Sequence, residues 1–158
     1  MEAEKVCLQS TSHVIIIRIT LQYGWGYGSH TSFTDWLMNS LKRGQHVTLF
    51  SDQYRTPTYI IDTCKGIEIA ALQAPNKEIY HLCGPERMNR YEFGLLFASL
   101  FKFPHTLIKT APMQNMPLPA PRPKDVSLNG QKFFDHFKYK PRGVREGLEA
   151  MLCPYQKA

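Results

Sequence analysis

The side chain best suited to binding chemistry in this sequence is an arginine in a loop. Arg122 stands between Pro121 and Pro123, with no predicted helix to carry it. A guanidinium on such a stiff loop is oriented in advance for bidentate contact with a phosphate or carboxylate. The alternative for Arg122 is a structural ion pair.

A second polar segment, residues 51–58, contains chemically useful side chains close together in a turn. Asp52, Gln53 and Thr58 lie around Pro57 in this turn. Short polar side chains beside a proline commonly order a turn through bonds to its own backbone. One interpretation is that these side chains fix the conformation of the turn, and the alternative is that the turn shapes a ligand-binding cleft.

Aromatic side chains near a glycine-rich loop offer surfaces on which a ring could stack. Trp25 lies in the loop itself and could stack on a base or a sugar. Phe33 and Trp36 fall on the apolar face of a predicted helix, so we expect both to pack into the core. Trp25 is therefore the better candidate for contact with a ligand.

Several catalytic motifs are absent from the 158 residues. Residues 24–29 follow a predicted strand, but Ser29 stands where the dinucleotide motif Gly-x-Gly-x-x-Gly requires glycine. The sequence has neither the Gly-x-Ser-x-Gly of hydrolases nor the His-Glu-x-x-His of zinc proteases. No tyrosine is followed four residues later by lysine, the pair with which short-chain reductases move a proton during hydride transfer.

Apolar spacing predicts strands and helices in alternation, which favours an α/β fold. Residues 14–19 are nearly all apolar, which predicts a strand buried on both faces of a parallel sheet. Such a strand needs neighbours on both sides, and few other segments can supply them. The other predicted strands are 46–50, 78–82 and 106–109, and the predicted helices are 32–43, 60–72, 89–101, 129–134 and 142–152. Ile61, Cys64, Ile67 and Ala71 align along the second of these helices.

Composition indicates one globular domain without a membrane span. The chain is 43% hydrophobic and 20% charged, and its net charge of +6 is scattered along the sequence, which disfavours a nucleic-acid surface. No apolar run approaches the length of a membrane helix. The four cysteines, Cys7, Cys64, Cys83 and Cys153, form no Cys-x-x-Cys. We expect them to be reduced and buried in a cytoplasmic protein.

Three stretches, residues 17–24, 49–58 and 119–129, fit one family in order and separation. They resemble the carboxy-terminal half of dTDP-4-dehydrorhamnose reductase, an extended short-chain dehydrogenase that acts on a nucleotide sugar. The most specific parts are Asp-Gln-x-x-x-Pro-Thr at 52–58 and Arg-Pro-x-x-x-x-Leu at 122–128. The resemblance implies late parallel strands of a Rossmann-type sheet plus a small mixed α/β substrate-binding subdomain. It implies one RmlD-like domain over residues 1–158, without the amino-terminal NADPH-binding half.

The resemblance also implies a site, a cofactor and partners. Arg55 departs from the small residue common at this point in bacterial reductases, and it either adds positive charge near a sugar-nucleotide cleft or points to water. The implied cofactor is NADPH or NADH, bound by the other half of the fold. Implied partners are a nucleotide sugar and either the missing half or a homodimer partner, with no nucleic acid and no membrane. The implied substrate-binding residues are Trp25, Asp52, Gln53, Arg55, Thr58 and Arg122.

Two alternatives remain open at this point. Residues 84–104 resemble the beta subunit of methionine adenosyltransferase as well, which would make the chain a non-catalytic regulatory subunit. A degenerate or truncated product with no independent role is the third interpretation, and its unpaired sheet edge would favour aggregation or dimerisation. Whichever is correct, the sequence predicts no hydride transfer by this chain alone.

Overall fold

The computed structural model describes residues 2–115, 120 and 122–152. Helices and strands alternate as predicted. The helices are α1 (Glu2–Gln9), α2 (Phe33–Lys42), α3 (Ile60–Gln73), α4 (Arg90–Leu100), α5 (Gln131–Phe137) and α6 (Val144–Ala150). The strands are β1 (Ile15–Ile19), β2 (Gln22–Tyr23), β3 (Val47–Phe50), β4 (Tyr54–Arg55), β5 (Thr58–Tyr59), β6 (Glu78–Leu82), β7 (Met88–Asn89) and β8 (Ile108–Ala111).

In the described part of the chain these strands form four two-stranded sheets. β1 pairs with β6, β2 with β5 and β3 with β8, all in parallel. Only β4 and β7 pair antiparallel. The predominance of parallel pairs joined through helices confirms the predicted α/β class.

One part of the molecule, here called the edge-sheet region, consists of β1 and β6 with α1, α3 and α5. Its buried core is aromatic at the centre, where the Tyr80 ring lies 5.0 Å from Phe137 and 6.0 Å from Phe133. Leu82 and Ala70 complete this core, both fully buried. This core therefore lies between one face of the β1–β6 sheet and the helices α3 and α5.

The prediction that residues 14–19 are buried on both faces is wrong. Ile15, Ile16 and Ile17 are only half-buried, and Ile19 is 50% exposed. The reason is that β6 is the only strand paired with β1 among the described residues. On the second face Arg18 makes two bonds of 2.8 Å to the Glu4 carboxylate of α1, so this face is polar at its centre.

The apolar stripe of α3 does not face the core. The helix is confirmed, but Ile61, Cys64, Ile67 and Ala71 are all exposed. The face that meets the sheet carries small residues instead. A side-chain carbon added at Gly66 would lie 2.7 Å from a methyl carbon of Leu82, so only glycine permits this close approach.

The other part, here called the cleft region, consists of β3 and β8 with α2, α4, α6 and the turn at residues 51–59. α4 packs against β3 closely enough that any side chain at Gly94 would overlap Leu49. The side chains of Phe93, Phe97 and Leu148 are at most 1% exposed. This core is larger than that of the edge-sheet region and extends into both α2 and α6.

Two helices of the cleft region begin at the residues that the sequence indicates. Ser32 caps α2 and Asn89 caps α4. The predicted capping box of α4 is confirmed: Asn89 Oδ1 accepts the Glu92 N–H at 2.8 Å, and Glu92 Oε2 accepts the Asn89 N–H at 2.8 Å. These bonds fix the entry of α4 beside the turn at residues 51–59.

Two further expectations are corrected by burial. Trp36 is 44% exposed rather than packed in the core, because it stacks on Phe33 at the outer end of the apolar face. Cys7 and Cys64 are exposed free thiols, and Cys83 is the buried one. Cys153 lies outside the described residues.

Candidate functional site

Hydrogen bonds with neighbouring segments fix Thr58 within the turn at residues 51–59. Thr58 is fully buried, and its hydroxyl oxygen accepts the Gly84 N–H at 2.8 Å. Its backbone N–H donates to the Leu21 carbonyl at 2.9 Å. Thr58 therefore joins the ends of β2 and β6 to the turn and has the ordering role that its residue type predicts.

Asp52 and Gln53 connect the turn to neighbouring segments. Asp52 Oδ1 accepts the Met113 N–H at 2.8 Å, and its other oxygen lies 3.6 Å from Lys124 Nζ. Gln53 is 2% exposed, and its carbonyl oxygen accepts the Arg90 Nε–H at 2.7 Å. Gln53 thus ties the turn to the first residue of α4.

The segment that carries Arg122 runs beside β4. The Tyr54 N–H donates to the Lys124 carbonyl at 2.7 Å, and the Val126 N–H donates to the Tyr54 carbonyl at 3.3 Å. The Leu128 N–H then donates to the Thr56 hydroxyl at 3.2 Å. These bonds bring the residues that follow Arg122 next to the turn at residues 51–59.

Three arginines come together at this place. Burial lowers the pKa of Arg90, and the charges of Arg55 and Arg122 lower it further. Burial likewise lowers the pKa of Arg55, Asp125 opposes that shift, and Arg122 adds to it. Each arginine therefore lies within the electrostatic reach of the other two, and we call the set the arginine cluster.

A small cleft lies between two members of the cluster. The cleft is bounded by Arg55 and Arg90, with Phe33, Pro57 and Met88 among its apolar walls, and it is too narrow to admit a water molecule. The Arg90 guanidinium lies 4.7 Å from the centre of the Phe33 ring. The cleft combines positive charge with apolar walls but has no room for a ligand, so a ligand of the arginine cluster would have to bind at the surface beside it.

Asp125, the carboxylate whose charge acts on Arg55, is already engaged by another arginine. Asp125 lies 2.8 Å from both Nε and a terminal nitrogen of Arg87, whose guanidinium stacks on Tyr54 at 3.7 Å. Bonds from the Ser127 hydroxyl and N–H, followed by the bond from Arg87, lower the pKa of Asp125 to about 2. In the described part of the chain no ion pair involves a member of the arginine cluster.

Trp25 is the one predicted site residue that the structure places elsewhere. Its indole N–H donates to the Met151 carbonyl at 3.1 Å, and its ring meets Phe101 edge-on at 5.7 Å. Trp25 therefore packs against the ends of α4 and α6. Asp52, Gln53, Arg55, Thr58 and Arg122 are brought together.

Sequence reasoning missed Arg90 and the contact of Phe33 with it. A signal for Arg90 exists, since a cation in the first turn of a helix opposes the helix dipole and calls for another explanation. Phe33 was expected in the core, and it is only partly buried beside the core while also lining the cleft. No sequence pattern indicates that two helix starts, those of α2 and α4, meet at one cleft.

The glycine-rich loop does not fit a dinucleotide phosphate. The Gly26 N–H donates to Asp35 Oδ2 at 2.7 Å, and the Ser32 N–H donates to the same oxygen at 2.8 Å. A carboxylate thus occupies the donors that a phosphate would need. The loop serves the start of α2.

A larger open groove of about 640 Å³ is lined by Thr56, Arg87 and residues 127–131, among others. Two of its polar side chains bond to each other, Gln131 donating to Asp135 at 2.8 Å, and Arg87 pairs with Asp125, which is not among the lining residues. In the described ranges no group of three or more histidines, cysteines or acidic residues could hold a metal ion. No helix in those ranges is long and apolar enough to cross a membrane.

Comparisons with known proteins agree with this architecture. The family model described as RmlD substrate binding domain matches residues 1–157. The beta subunits of methionine adenosyltransferase 2 from Xenopus laevis and Xenopus tropicalis are 26% and 28% identical over 98% of this chain. The chain spans about half the length of these curated relatives, 48% in each case.

Among solved structures, a dTDP-4-dehydrorhamnose reductase from Bacillus anthracis, determined in complex with NADP, superposes with a TM-score of 0.77. The alignment has 20% sequence identity and covers 87% of this chain and 47% of the reductase. At this identity the likeness concerns the fold. It confirms the predicted carboxy-terminal fold of an extended short-chain dehydrogenase.

Proposed function

The chain belongs to the RmlD substrate binding domain family, and from that premise we propose that it is the nucleotide-sugar-binding portion of an NAD(P)H-dependent reductase. The proposed ligand is a nucleoside diphosphate sugar of the dTDP-sugar type. The proposed binding surface is the arginine cluster of Arg55, Arg90 and Arg122, at the surface beside the cleft. The proposed compartment is the cytoplasm.

The observation that carries this proposal is the arginine cluster without a carboxylate of its own. Three cations held near one another repel, and an anion placed between them relieves that repulsion. A diphosphate suits them because each guanidinium offers a planar pair of donors that matches phosphate oxygens. Asp52, Gln53 and Thr58 take the supporting role of fixing the turn.

Binding and reduction are separate in this proposal. The 158 residues contain no Tyr-x-x-x-Lys pair, and the glycine-rich loop is filled by Asp35. We therefore propose that this chain binds the sugar nucleotide and does not transfer hydride by itself. NADPH or NADH would be held by an amino-terminal half, within one polypeptide or as a partner chain.

Titration calorimetry of the purified chain with dTDP-glucose tests the proposal, with thymidine as the uncharged control. We expect binding of dTDP-glucose, no heat from thymidine, and an affinity that falls as salt is added, because the contacts are ionic. Absence of binding at about 1 mM ligand, a concentration that would reveal about 4 kcal/mol of affinity, would contradict it. NADPH oxidation by this chain alone would contradict the non-catalytic part.

A second function is favoured by the curated relatives, both of which are named as beta subunits of methionine adenosyltransferase 2. In that case the chain would be a regulatory partner of a synthetase. Immobilised chain would then retain the catalytic subunit of a methionine adenosyltransferase and would be insensitive to dTDP-sugars. Retention of the subunit together with tight dTDP-glucose binding would support a ligand-binding regulator.

A further inference from the structure

The open groove lined by Thr56 and Arg87 is a second concave surface, separate from the cleft beside the arginine cluster. Arg55 and Met88 stand opposite each other in the β4–β7 pair and line the cleft, whereas the next residue along each chain segment, Thr56 or Arg87, lines the groove. Successive side chains of a strand point to opposite faces, so the groove and the cleft lie on opposite faces of this pair. The groove has a volume of about 640 Å³, which is within the range of small-molecule sites.

Helix α5 divides its aromatic side chains between the core and this groove. Phe133 and Phe137 are four residues apart, both are buried, and both pack against the Tyr80 ring. Phe134 is only half-buried and lines the groove. Among the residues that the structure describes, no aromatic ring or cation packs on the Phe134 ring. This ring therefore offers an apolar surface to a ligand in the groove.

Two polar side chains flank Phe134 on the same face of α5. Gln131, Phe134 and Asp135 are spaced three and four residues apart, which places them side by side on the helix. The Gln131 amide nitrogen donates to one Asp135 oxygen at 2.8 Å, and this bond fixes both side chains. In residues 2–115, 120 and 122–152, Gln131 Oε1 and the second Asp135 oxygen have no hydrogen-bond partner. Two oriented acceptors thus remain beside the ring.

Other lining residues supply donors to the same groove. Asn129 Oδ1 accepts the Gln131 N–H at 2.9 Å, which identifies the other atom of this amide as a nitrogen. In the described part of the chain this nitrogen has no partner, and Lys140 makes neither a hydrogen bond nor an ion pair. The groove therefore combines unpaired donors with unpaired acceptors.

The charges around the groove balance, in contrast to those of the arginine cluster. The lining cations Arg87 and Lys140 are matched by Asp135 and by Asp125, which pairs with Arg87 at 2.8 Å. Such a lining gives an anion no advantage over an uncharged ligand. A sugar ring matches it, because each hydroxyl both donates and accepts a hydrogen bond and because its C–H face can pack on an aromatic ring.

We infer that this groove is a binding site for an uncharged sugar, which packs on Phe134 and is hydrogen-bonded by Gln131, Asp135 and Asn129. The inference goes beyond the proposed function, since it depends neither on the arginine cluster nor on a nucleotide. It assigns α5 a ligand-binding face in addition to the face that it packs against the sheet.

The methyl glycosides of glucose, galactose and mannose are the probes, because they are uncharged and carry no nucleotide. Proton–nitrogen NMR spectra of the labelled chain are recorded while each glycoside is added to about 20 mM, which would reveal millimolar binding. We expect at least one glycoside to shift the amide signals of residues 127–135. Absence of a shift with all three, or shifts confined to another surface, would overturn the inference.

Amide and carboxylate variants test the hydrogen bonds. Gln131 and Asp135 are exposed, so Q131A and D135A should keep the fold. We expect each to weaken glycoside binding about fivefold to tenfold, through loss of a hydrogen bond. Gln45 is an exposed glutamine outside the groove, and the matched control Q45A should change the affinity less than about twofold. Equal affinities of Q131A, D135A and Q45A would contradict the assigned roles.

Two substitutions of Phe134 distinguish a binding role from a structural one. Tyrosine keeps the aromatic ring, whereas leucine keeps apolar volume and loses the ring. We expect F134Y to bind the glycoside within about twofold of the unmodified chain and F134L to bind it about tenfold more weakly. Equal binding by the two variants would overturn the packing of the sugar on Phe134. Thermal melting shows whether either variant has lost its fold, in which case Q131A and D135A decide.

Pyrophosphate separates this inference from the proposed function. Because the groove and the cleft lie on opposite faces of the β4–β7 pair, saturating pyrophosphate should change glycoside affinity less than about twofold. Displacement of the glycoside by pyrophosphate would overturn the separate site. A chain that binds a glycoside but not dTDP-glucose would contradict the proposed function and support this inference.

Discussion

The two regions of the molecule are incomplete in opposite ways. The edge-sheet region pairs its charges, as in Arg18 with Glu4 and Lys132 with Glu78, but leaves apolar side chains such as Leu72 80% exposed. The cleft region fully buries aromatic side chains such as Phe93 and Phe97 but leaves its arginine cluster without a carboxylate of its own. The first region lacks an apolar contact and the second lacks an anion, so we expect them to meet different partners.

This contrast follows from what each region places on its surface. Uncompensated charge in a small cleft is best relieved by a compact anion. Exposed apolar side chains on a helix and at a sheet edge are covered by another protein surface. We therefore expect a small anionic ligand at the arginine cluster and a protein surface at the apolar edge.

The largest expected effect tests whether packing is complete only in the cleft region. Phe97 is fully buried and its ring stacks on Phe101 at 4.3 Å, so Phe97→Ala should lower the free energy of unfolding by about 3–5 kcal/mol. Leu72→Ala on α3 should lower it by less than about 0.5 kcal/mol. Urea unfolding of both variants measures the difference. A large loss for Leu72→Ala would mean that the surface of α3 is covered in solution.

The next effect concerns the carboxylate that joins the two regions. Asp62 of α3 is 3% exposed, and it accepts the Arg142 N–H at 2.9 Å and pairs with the Arg142 guanidinium at 2.9 Å. Asp62→Ala leaves these donors unsatisfied and should cost about 2–3 kcal/mol in urea unfolding. Asp135→Ala is the matched surface control. Equal, small losses would show that α3 and the residues before α6 are not energetically linked through this pair.

A smaller effect on stability is expected at acidic pH. The bonds of Asp125 to Ser127 and Arg87 lower its pKa to about 2, against about 3.9 in an unfolded chain. A carboxyl with a depressed folded-state pKa contributes stability that is present above about pH 4 and is lost as the pH falls toward about 2. Asp125→Asn should therefore unfold with a flatter acid limb, measured by melting temperature against pH. An acid limb as steep as that of the unmodified chain would place the acid sensitivity in other groups.

The types of the secondary-structure elements were predictable from the sequence, but the contacts around each element were not. Local signals such as the caps Ser32 and Asn89 determine where a helix starts, and they hold in the structure. The strand predicted at residues 106–109 was only partly correct, because His105–Leu107 form a helical turn and β8 starts at Ile108. Helix α5 is shifted to Gln131–Phe137 because Asn129 Oδ1 accepts the Gln131 N–H and starts it later. Such bonds depend on turn geometry that residue type alone does not specify.

The candidate site was predictable where a motif is contiguous and not where contacts cross the fold. Asp52, Gln53 and Arg55 share one turn, so a sequence motif contains them. Arg90 reaches the same cleft only because β4 and β7 pair antiparallel, with Arg55 opposite Met88. The exposure of the apolar stripe of α3 was not predictable either, because helical spacing shows which residues share a face but not whether that face meets the core or the solvent.

The smallest effect on stability, and the sharpest test of the edge-sheet region, comes from Ile19. This residue ends β1 and is 50% exposed. A lysine there opposes strand pairing and apolar contact, so Ile19→Lys should reduce self-association in sedimentation velocity while changing stability by less than about 0.5 kcal/mol. Leu152→Lys, 47% exposed beyond α6, is the matched control and should leave association unchanged. An unmodified chain that stays monomeric at every concentration would show that this apolar edge does not pair with itself, and would leave a different protein surface as its partner.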